Sequence, residues 1–494
     1  MFSAVLSTIH PLGTLVSFCT SWVAFLLRER TFPPHIPSAL PYIGSALSYL
    51  LAPTAFLASC QQRYGATYTF LMGGRNFVVV SSTGAISSVF NANSRTLCND
   101  LMHHQMLEVV AGVKKNQEWL HQIMMKLFPL VDKSLSRRSL GQITEPFGRE
   151  LFSQIEKYRR VYSVKAIPLI HFIQQPLYDA TNLAIFGSAF PLDTFTDLHM
   201  LDKSVPSRFG RLPFWSRPSS RARQRLLSHI EEYLQPDKII MIGGEYSQFA
   251  LRFMEIFEAN DVCTPDAARL VLTFMWGLHS NTMSTSFWLF VHLLADPEAL
   301  KRVRAEVDNA FDAEGYTLDS LLDADPDELD SHHFVLLTSA IMETMRLTAL
   351  HAAARIANHD FDLKDGEGSI PIKEGQYILG NVHAAHMDES NYPNAHNFVV
   401  DRFADQPHQK GKLQTEGHPF YSLGGGRHPC KGRWLAIYQT KLQAIILLRL
   451  WDITPANGAS EWSIPKVHGR SIGVIHTRDE VLVQLNPRQL GNQL

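Results

Sequence analysis

The stretch Leu423 to Gly432, Leu-Gly-Gly-Gly-Arg-His-Pro-Cys-Lys-Gly, constrains this chain more than any other. Consecutive glycines let a backbone turn tightly and approach a flat object closely, because no Cβ stands in the way. Directly after them, Trp434, Ile437, Tyr438, Leu442, Ile445 and Leu448 recur three or four apart, which predicts a helix with one face in the core. Cys430 therefore stands at the mouth of a helix, where unpaired amide donors and the dipole favour a thiolate over a thiol of pKa about 8.5. A cysteine so placed is a candidate metal ligand, whereas an isolated one is more often a buried apolar side chain.

The other cysteines, Cys19, Cys60, Cys98 and Cys263, are scattered without paired spacing, which argues against a disulfide framework or a zinc site and for a reducing compartment. With 494 residues and 45% apolar content the chain can bury a large core. Forty-five Lys and Arg nearly balance 47 Asp and Glu, so no field favours nucleic acid, and recognition is expected to be apolar.

From Met1 to Leu27 there is no charged side chain, enough chain at about 1.5 Å per residue to cross a hydrocarbon core of about 30 Å. Arg28-Glu29-Arg30 follows, so residues 1–27 are expected to be a transmembrane anchor with the body on the cytosolic side. Residues 28–44, with Pro33, Pro34, Pro37, Pro41 and Gly44, read as a basic stop and stiff extended hinge, leaving 45–494 as the folded domain. Tyr68 to Ser81, turning at Gly73-Gly74, predicts a hairpin within a small sheet.

Between Lys203 and His229 there is no acid, while Arg208, Arg211, Arg217, Arg221, Arg223 and Arg225 surround Phe209, Leu212, Phe214 and Trp215. Arginines interleaved with aromatics suit a loop dipping into lipid headgroups. A long helix is predicted from Thr264-Pro265 to about Leu294, Pro265 being suited to a first turn. Inside it, Trp276-Gly277-Leu278-His279-Ser280-Asn281-Thr282 is a polar patch that must line a cavity, hold a water or pair with a neighbouring helix.

Glu343 and Arg346 share a helix face at i, i+3, followed downstream by Asn391-Tyr392-Pro393 and Phe398-Val399-Val400-Asp401-Arg402-Phe403. Together with the cysteine loop, these ordered motifs resemble the cytochrome P-450 superfamily, whose loop reads Phe-x-x-Gly-x-Arg/His-x-Cys-x-Gly. Gly426, His428, Cys430 and Gly432 match it, and Leu423 replaces the usual Phe, with Phe420 three residues earlier as a stand-in.

The resemblance implies a mainly α fold with a small β-rich part, haem b with Cys430 as axial thiolate to iron, and a structural Glu343–Arg346–Arg402 triad. It also implies a haem propionate partner in Arg355. His121, two residues after Trp119, is a second candidate, but the usual Trp-x-x-x-Arg is absent and a satisfied surface or core histidine accounts for it better. The patch around Asn281 is similar to the Trp-Ala-x-x-x-Asn-Thr run of the clan of sterol 7-alpha- and 12-alpha-hydroxylases and prostacyclin synthase. Most of the superfamily carries an acid followed by Thr there, where this chain has Ser280 followed by Asn281, with Thr282 next.

The expected activity is oxygen insertion into an apolar, steroid- or terpenoid-like substrate, with electrons from an NADPH reductase at the endoplasmic reticulum membrane. Ser280, Asn281 and Thr282 would hold water for proton delivery. A reductase-independent isomerase or dehydratase and a non-enzymatic haem sensor are the alternatives, because that clan mixes oxygenases with an isomerase.

Overall fold

The computed structural model describes residues 32–488 apart from 39, 41, 163–165, 210–216, 331, 351, 405–414, 416–417, 457–461 and 469. The expected anchor, and Arg211, Leu212, Phe214 and Trp215 of the basic stretch, lie outside the described residues. No described helix is long and apolar enough to cross a membrane. The chain divides into two compact units, residues 1–99 with 352–381, and residues 100–351 with 382–494.

The first unit is built on a sheet. Strands β1 (Thr67–Met72) and β2 (Arg75–Val80) form a hairpin whose turn residues Gly73 and Gly74 both have positive φ, the conformation that matches strand twist. Phe70 lies opposite Phe77 with ring centroids 5.2 Å apart. Strands β3 (Leu97–Cys98), β4 (Ala352–Ala357) and β5 (Tyr377–Asn381) complete the sheet in the order β1-β2-β5-β4-β3. The central β5 is buried throughout, and β2 pairs with it in parallel, as a strand covered on both faces can.

The proline-rich stretch is extended but does not run free. Ile36 donates its amide to Thr69 O at 2.7 Å, Thr69 donates to Pro34 O at 2.8 Å, and Gly44 bridges to Met72. Prolines, lacking an N–H, are tolerated at such a sheet margin.

The second unit is helical. Helix α1 (Leu169–Phe186) is buried on nearly every side, and α2 (Phe195–Phe209) and α3 (Arg217–Tyr233) pack against each other. The described parts of the basic stretch are thus helical, 203–209 in α2 and 217–229 in α3. Arg208 donates to Ser204, Ser219 and Ser220, Arg225 pairs with Asp197, and Phe209 packs on the core. These arginines join helices, so the lipid-facing reading keeps no support from them.

Helix α4 (Thr264–Ala295), of 32 residues, has Pro265 in its first turn and stops where Asp296 caps the following helix through Ala299 N. It is apolar nearly all round, as a helix packed by others on all sides must be. Around it pack α1, α3, α5 (Val335–Thr348) and α6 (Arg433–Leu450). Ser286 of α4 donates to Thr440 of α6 at 3.3 Å, so the helices carrying Asn281 and following Cys430 are in direct contact.

Candidate active site

The glycine loop folds as a miniature hairpin, β6 (Gly424–Gly425) against β7 (His428–Pro429). Gly424 at φ +75° and Gly426 at φ +52° take the left-handed backbone that glycine adopts without strain. A Cβ on Gly424 would lie 2.4 Å from His428 O. The Cys430 amide donates to Leu423 O at 2.7 Å, Arg433 Nη1 donates to Cys430 O at 2.9 Å, and the Gly432 amide donates to the sulfur. Phe420 stacks on His386 and meets Phe403 edge-on, so its ring is engaged in the preceding loop.

Cys430 keeps an exposed surface and yet is surrounded closely enough that burial raises its pKa. Both hold for a side chain on the floor of a concavity. The expected lowering by the helix mouth is overturned. The Gly432 amide and the Arg433 charge do act in that direction, but desolvation outweighs them. A cation bound to the sulfur would displace the proton outright.

No group of three or more His, Cys, Asp or Glu able to hold a metal exists among the described residues. A glycine hairpin with one accessible thiol fits a metal carried in a planar macrocycle that supplies its other ligands. Haem fits this site.

The polar patch of α4 divides into two faces. Trp276 Nε1 donates to Asp202 Oδ1 of α2 at 2.7 Å, and His279 Nε2 bonds Asn182 Oδ1 of α1 at 2.9 Å, so these two side chains pair helices. Burial pushes His279 down to about 3 and keeps it neutral. Gly277 and Asn281, one turn apart, are exposed within an otherwise buried helix, and a Cβ on Gly277 would meet nothing within 4 Å. Thr282 is buried, and the Ser280 hydroxyl is buried with no hydrogen-bond partner among the described residues.

Asn281 Oδ1 accepts from Val474 N at 3.0 Å, and Gly473 packs so tightly on it that a Cβ would sit 2.1 Å from that oxygen. The backbone donor fixes the amide orientation, leaving Asn281 with two N–H donors and its acceptor engaged. The segment 473–476 is held further by Leu350 N to Gly473 O at 2.6 Å, Ile475 N to Thr348 O at 3.0 Å and Trp288 Nε1 to Ile475 O at 2.7 Å. His476 Nε2 lies 3.1 Å from Asp202 Oδ2. Burial raises the Asp202 carboxyl, but the charge and hydrogen bonds of His476 and the Trp276 N–H together hold it below its ordinary value.

Asp202, His476 and Asn182 escaped sequence reasoning. Asp202 is 74 residues from Trp276, and no local pattern links them. The unusual indole in the patch was the one available signal.

Glu343, Arg346 and Arg402 meet in the core. Arg346 donates to both Glu343 oxygens at 2.7 and 2.8 Å, and Arg402 Nε lies 3.0 Å from each. Arg346 also donates to His386 O and Ala395 O, Val399 N donates to Glu343, and Tyr392 lies under both guanidiniums. Glu343 and Arg346 are fully buried, so the pair ties residues 386–399 to α5 rather than decorating a surface.

Arg355, in the other unit on β4, is buried with its pKa lowered by burial. It donates to Ala354 O at 2.8 Å, and its Nε has no partner among the described residues. His121 is exposed beside Asp100 at 3.5 Å, a surface contact.

The family model for cytochrome P450 matches residues 34–205 and 216–483. The chain is 24% identical to cytochrome P450 7A1 of Oryctolagus cuniculus over 461 residues, covering 88% of this chain and 90% of that protein. It is 23% identical to cytochrome P450 7B1 of Mus musculus, covering 87% of each. A third relative, 7-alpha-hydroxycholest-4-en-3-one 12-alpha-hydroxylase of Oryctolagus cuniculus, is 21% identical over 90% of this chain and 91% of its own. A lone accessible thiol on a glycine hairpin, a long helix opened at Gly277 and Asn281, and a match along most of the chain converge: this protein belongs to the cytochrome P450 family of haem-thiolate monooxygenases.

Proposed function

We propose that this protein is a membrane-associated monooxygenase that hydroxylates a sterol- or terpenoid-like substrate with electrons from an NADPH reductase. The observation that carries the reading is Cys430, a single accessible sulfur on a glycine floor with no companion ligands among the described residues. When bound, haem with a thiolate ligand supplies cleavage of the oxygen–oxygen bond.

The chain's own residues do the rest. Gly424 and Gly426 keep the floor flat, with His428 on the same hairpin, and the Gly432 N–H donates to the sulfur, stabilising its anionic form. Arg355, whose Nε has no partner among the described residues, is the proposed partner of a propionate. Asn281, its oxygen held by the Val474 amide and its NH2 turned by that bond, orients a water or a substrate oxygen on the open strip of α4, next to the Ser280 hydroxyl and Thr282.

Sterol-like substrates are supported by the relatives named for sterol hydroxylation, among them the 24-hydroxycholesterol 7-alpha-hydroxylase of Mus musculus, 22% identical. Membrane association is supported by Phe32, Leu40, Tyr42, Ile43, Leu47 and Leu51. These exposed apolar side chains follow the charge-free stretch 1–27, and Tyr42 is 71% exposed. We place the protein on the endoplasmic reticulum, single-pass, with the catalytic part cytosolic.

The test is incubation with a sterol and terpenoid panel under isotopically heavy oxygen gas, with and without reductase and NADPH. Label in an NADPH-dependent product is expected. Turnover without NADPH or label would instead favour an isomerase, a reading to which the non-ionisable Asn281 lends support.

A further inference from the structure

The Asp202–His476 pair at the α2–α4 junction faces a small cavity. Asp202 and His476 line it with Gln174 of α1, His199 and Lys203 of α2, Met283, Ser284, Phe287 and Trp288 of α4, and Thr477. It has room for about a single water molecule. Gln174 is 3% exposed, and its Oε1 has no hydrogen-bond partner among the described residues. Ser284 opens on the same cavity, and Ser280, whose buried hydroxyl is likewise unpartnered among them, stands one helical turn earlier on the same face. Buried polar atoms without protein partners mark the positions of ordered water. Ser280 in turn adjoins Asn281, whose side chain faces the exposed strip and is pinned to Val474, two residues from His476.

We propose that Asp202 and His476 feed solvent protons through cavity water, Ser284 and Ser280 to the open strip at Asn281, standing in for the acid that this chain lacks beside Asn281. The proposal rests on the oxygenase reading. That reaction, R–H + O2 + 2 electrons + 2 protons giving R–OH + H2O, takes its electrons from NADPH and must take its protons from solvent.

The imidazolium of His476 keeps one N–H on Asp202 and releases its other ring proton to cavity water. The hydroxyls pass it on by accepting one proton and donating another, and the neutral imidazole is reprotonated from solvent on the side of exposed Lys203 and half-buried Thr477. The groups facing the pair are consistent with this assignment. Burial first, and Lys203 second, hold His199 down to about 3, so it stays neutral. His171 of α1 is the other nearby imidazole, and α4 presents no titratable side chain from Met283 to Trp288.

The experiment uses the full-length haem protein with NADPH, an NADPH reductase and oxygen, without organic substrate. It compares wild type with Ser284→Ala, which leaves the Asp202–His476 pair untouched, and His476→Gln, which can still donate an N–H to Asp202 but does not ionise. Both variants should keep a normal carbon monoxide spectrum while NADPH oxidation slows about tenfold or more and its solvent deuterium effect grows, positioned proton transfer being worth about 10²–10⁴-fold. A readout independent of turnover is the side-chain nitrogen spectrum of labelled histidine, in which Asp202→Asn should change the His476 Nε2 signal that reports its contact with the Asp202 carboxylate. Wild-type rates and isotope effects in both Ser284→Ala and His476→Gln would overturn the track alone. In a separate incubation of wild type with the sterol and terpenoid panel under heavy oxygen gas, product free of that label would overturn both it and the oxygenase reading.

Discussion

Replacing Asn281 by leucine removes the acceptor of the amide of Val474, a residue that is 8% exposed. An unsatisfied buried N–H costs about 1–3 kcal/mol. Neighbouring attachments remain, namely Leu350 to Gly473, Ile475 to Thr348, Trp288 to Ile475 and His476 to Asp202, so the loss should stay local. At about 1.4 kcal/mol per factor of ten, hydrogen exchange at Val474 should accelerate roughly 5- to 150-fold, while α4 and α6 keep wild-type protection. Asn281→Asp retains an acceptor and should leave Val474 protected. Amide exchange read by mass spectrometry over 470–478, in wild type and both variants, decides the matter. Unchanged exchange at Val474 in the leucine variant would refute the assignment of Asn281 as an anchor of this segment. Under turnover, Asn281→Leu should also divert NADPH to peroxide or water, since a displaced segment and a lost donor act on the same strip.

Cys430→Ser should abolish the red-shifted carbon monoxide band of the reduced protein, and a normal band would remove Cys430 as the ligand. Glu343→Ala leaves Arg346 buried without its counter-charge and should cost about 3–5 kcal/mol in urea unfolding; a loss under about 1 kcal/mol would show the triad to be dispensable. Gly473→Ala places a Cβ against Asn281 Oδ1 at a φ of +83°, and should lower turnover while the carbon monoxide spectrum stays normal. His279, held near 3 in the folded protein against about 6.5 unfolded, binds its proton more readily when unfolded. Stability from its neutral burial is therefore complete above about pH 6.5 and is lost towards pH 3, at up to about 1.4 kcal/mol per pH unit. His279→Gln should flatten the pH dependence of the urea midpoint between about pH 6 and 4; an unchanged slope would contradict neutral burial.

Features set by neighbours in the chain are legible in the sequence itself. The Gly73-Gly74 turn, the start of α4 with Pro265 in its first turn and the cap at Asp296 follow from backbone sterics and orphan amides that act over a few residues. So does the placing of Cys430 after a left-handed glycine hairpin and before a helix. The pairing of Glu343 with Arg346 is written in i, i+3 spacing, although its full burial is not.

The tertiary structure decided what depends on desolvation and on distant partners. The pKa of Cys430 rises because surrounding protein outweighs the local dipole and amide, a balance no spacing encodes. Arg208 and Arg225 of the basic stretch read as lipid-facing until Ser219, Ser220 and Asp197 supplied them with partners within the helix pair. Asn281 looked like a free amide until Val474 took its oxygen, and the polar patch of α4 looked single until Asp202 and Asn182 claimed one face and left Gly277 and Asn281 on the other. Composition and periodicity carry information over a turn or two of chain. Which buried donor meets which acceptor is settled only when the core closes, because each unmade bond there costs free energy that water would otherwise have offset.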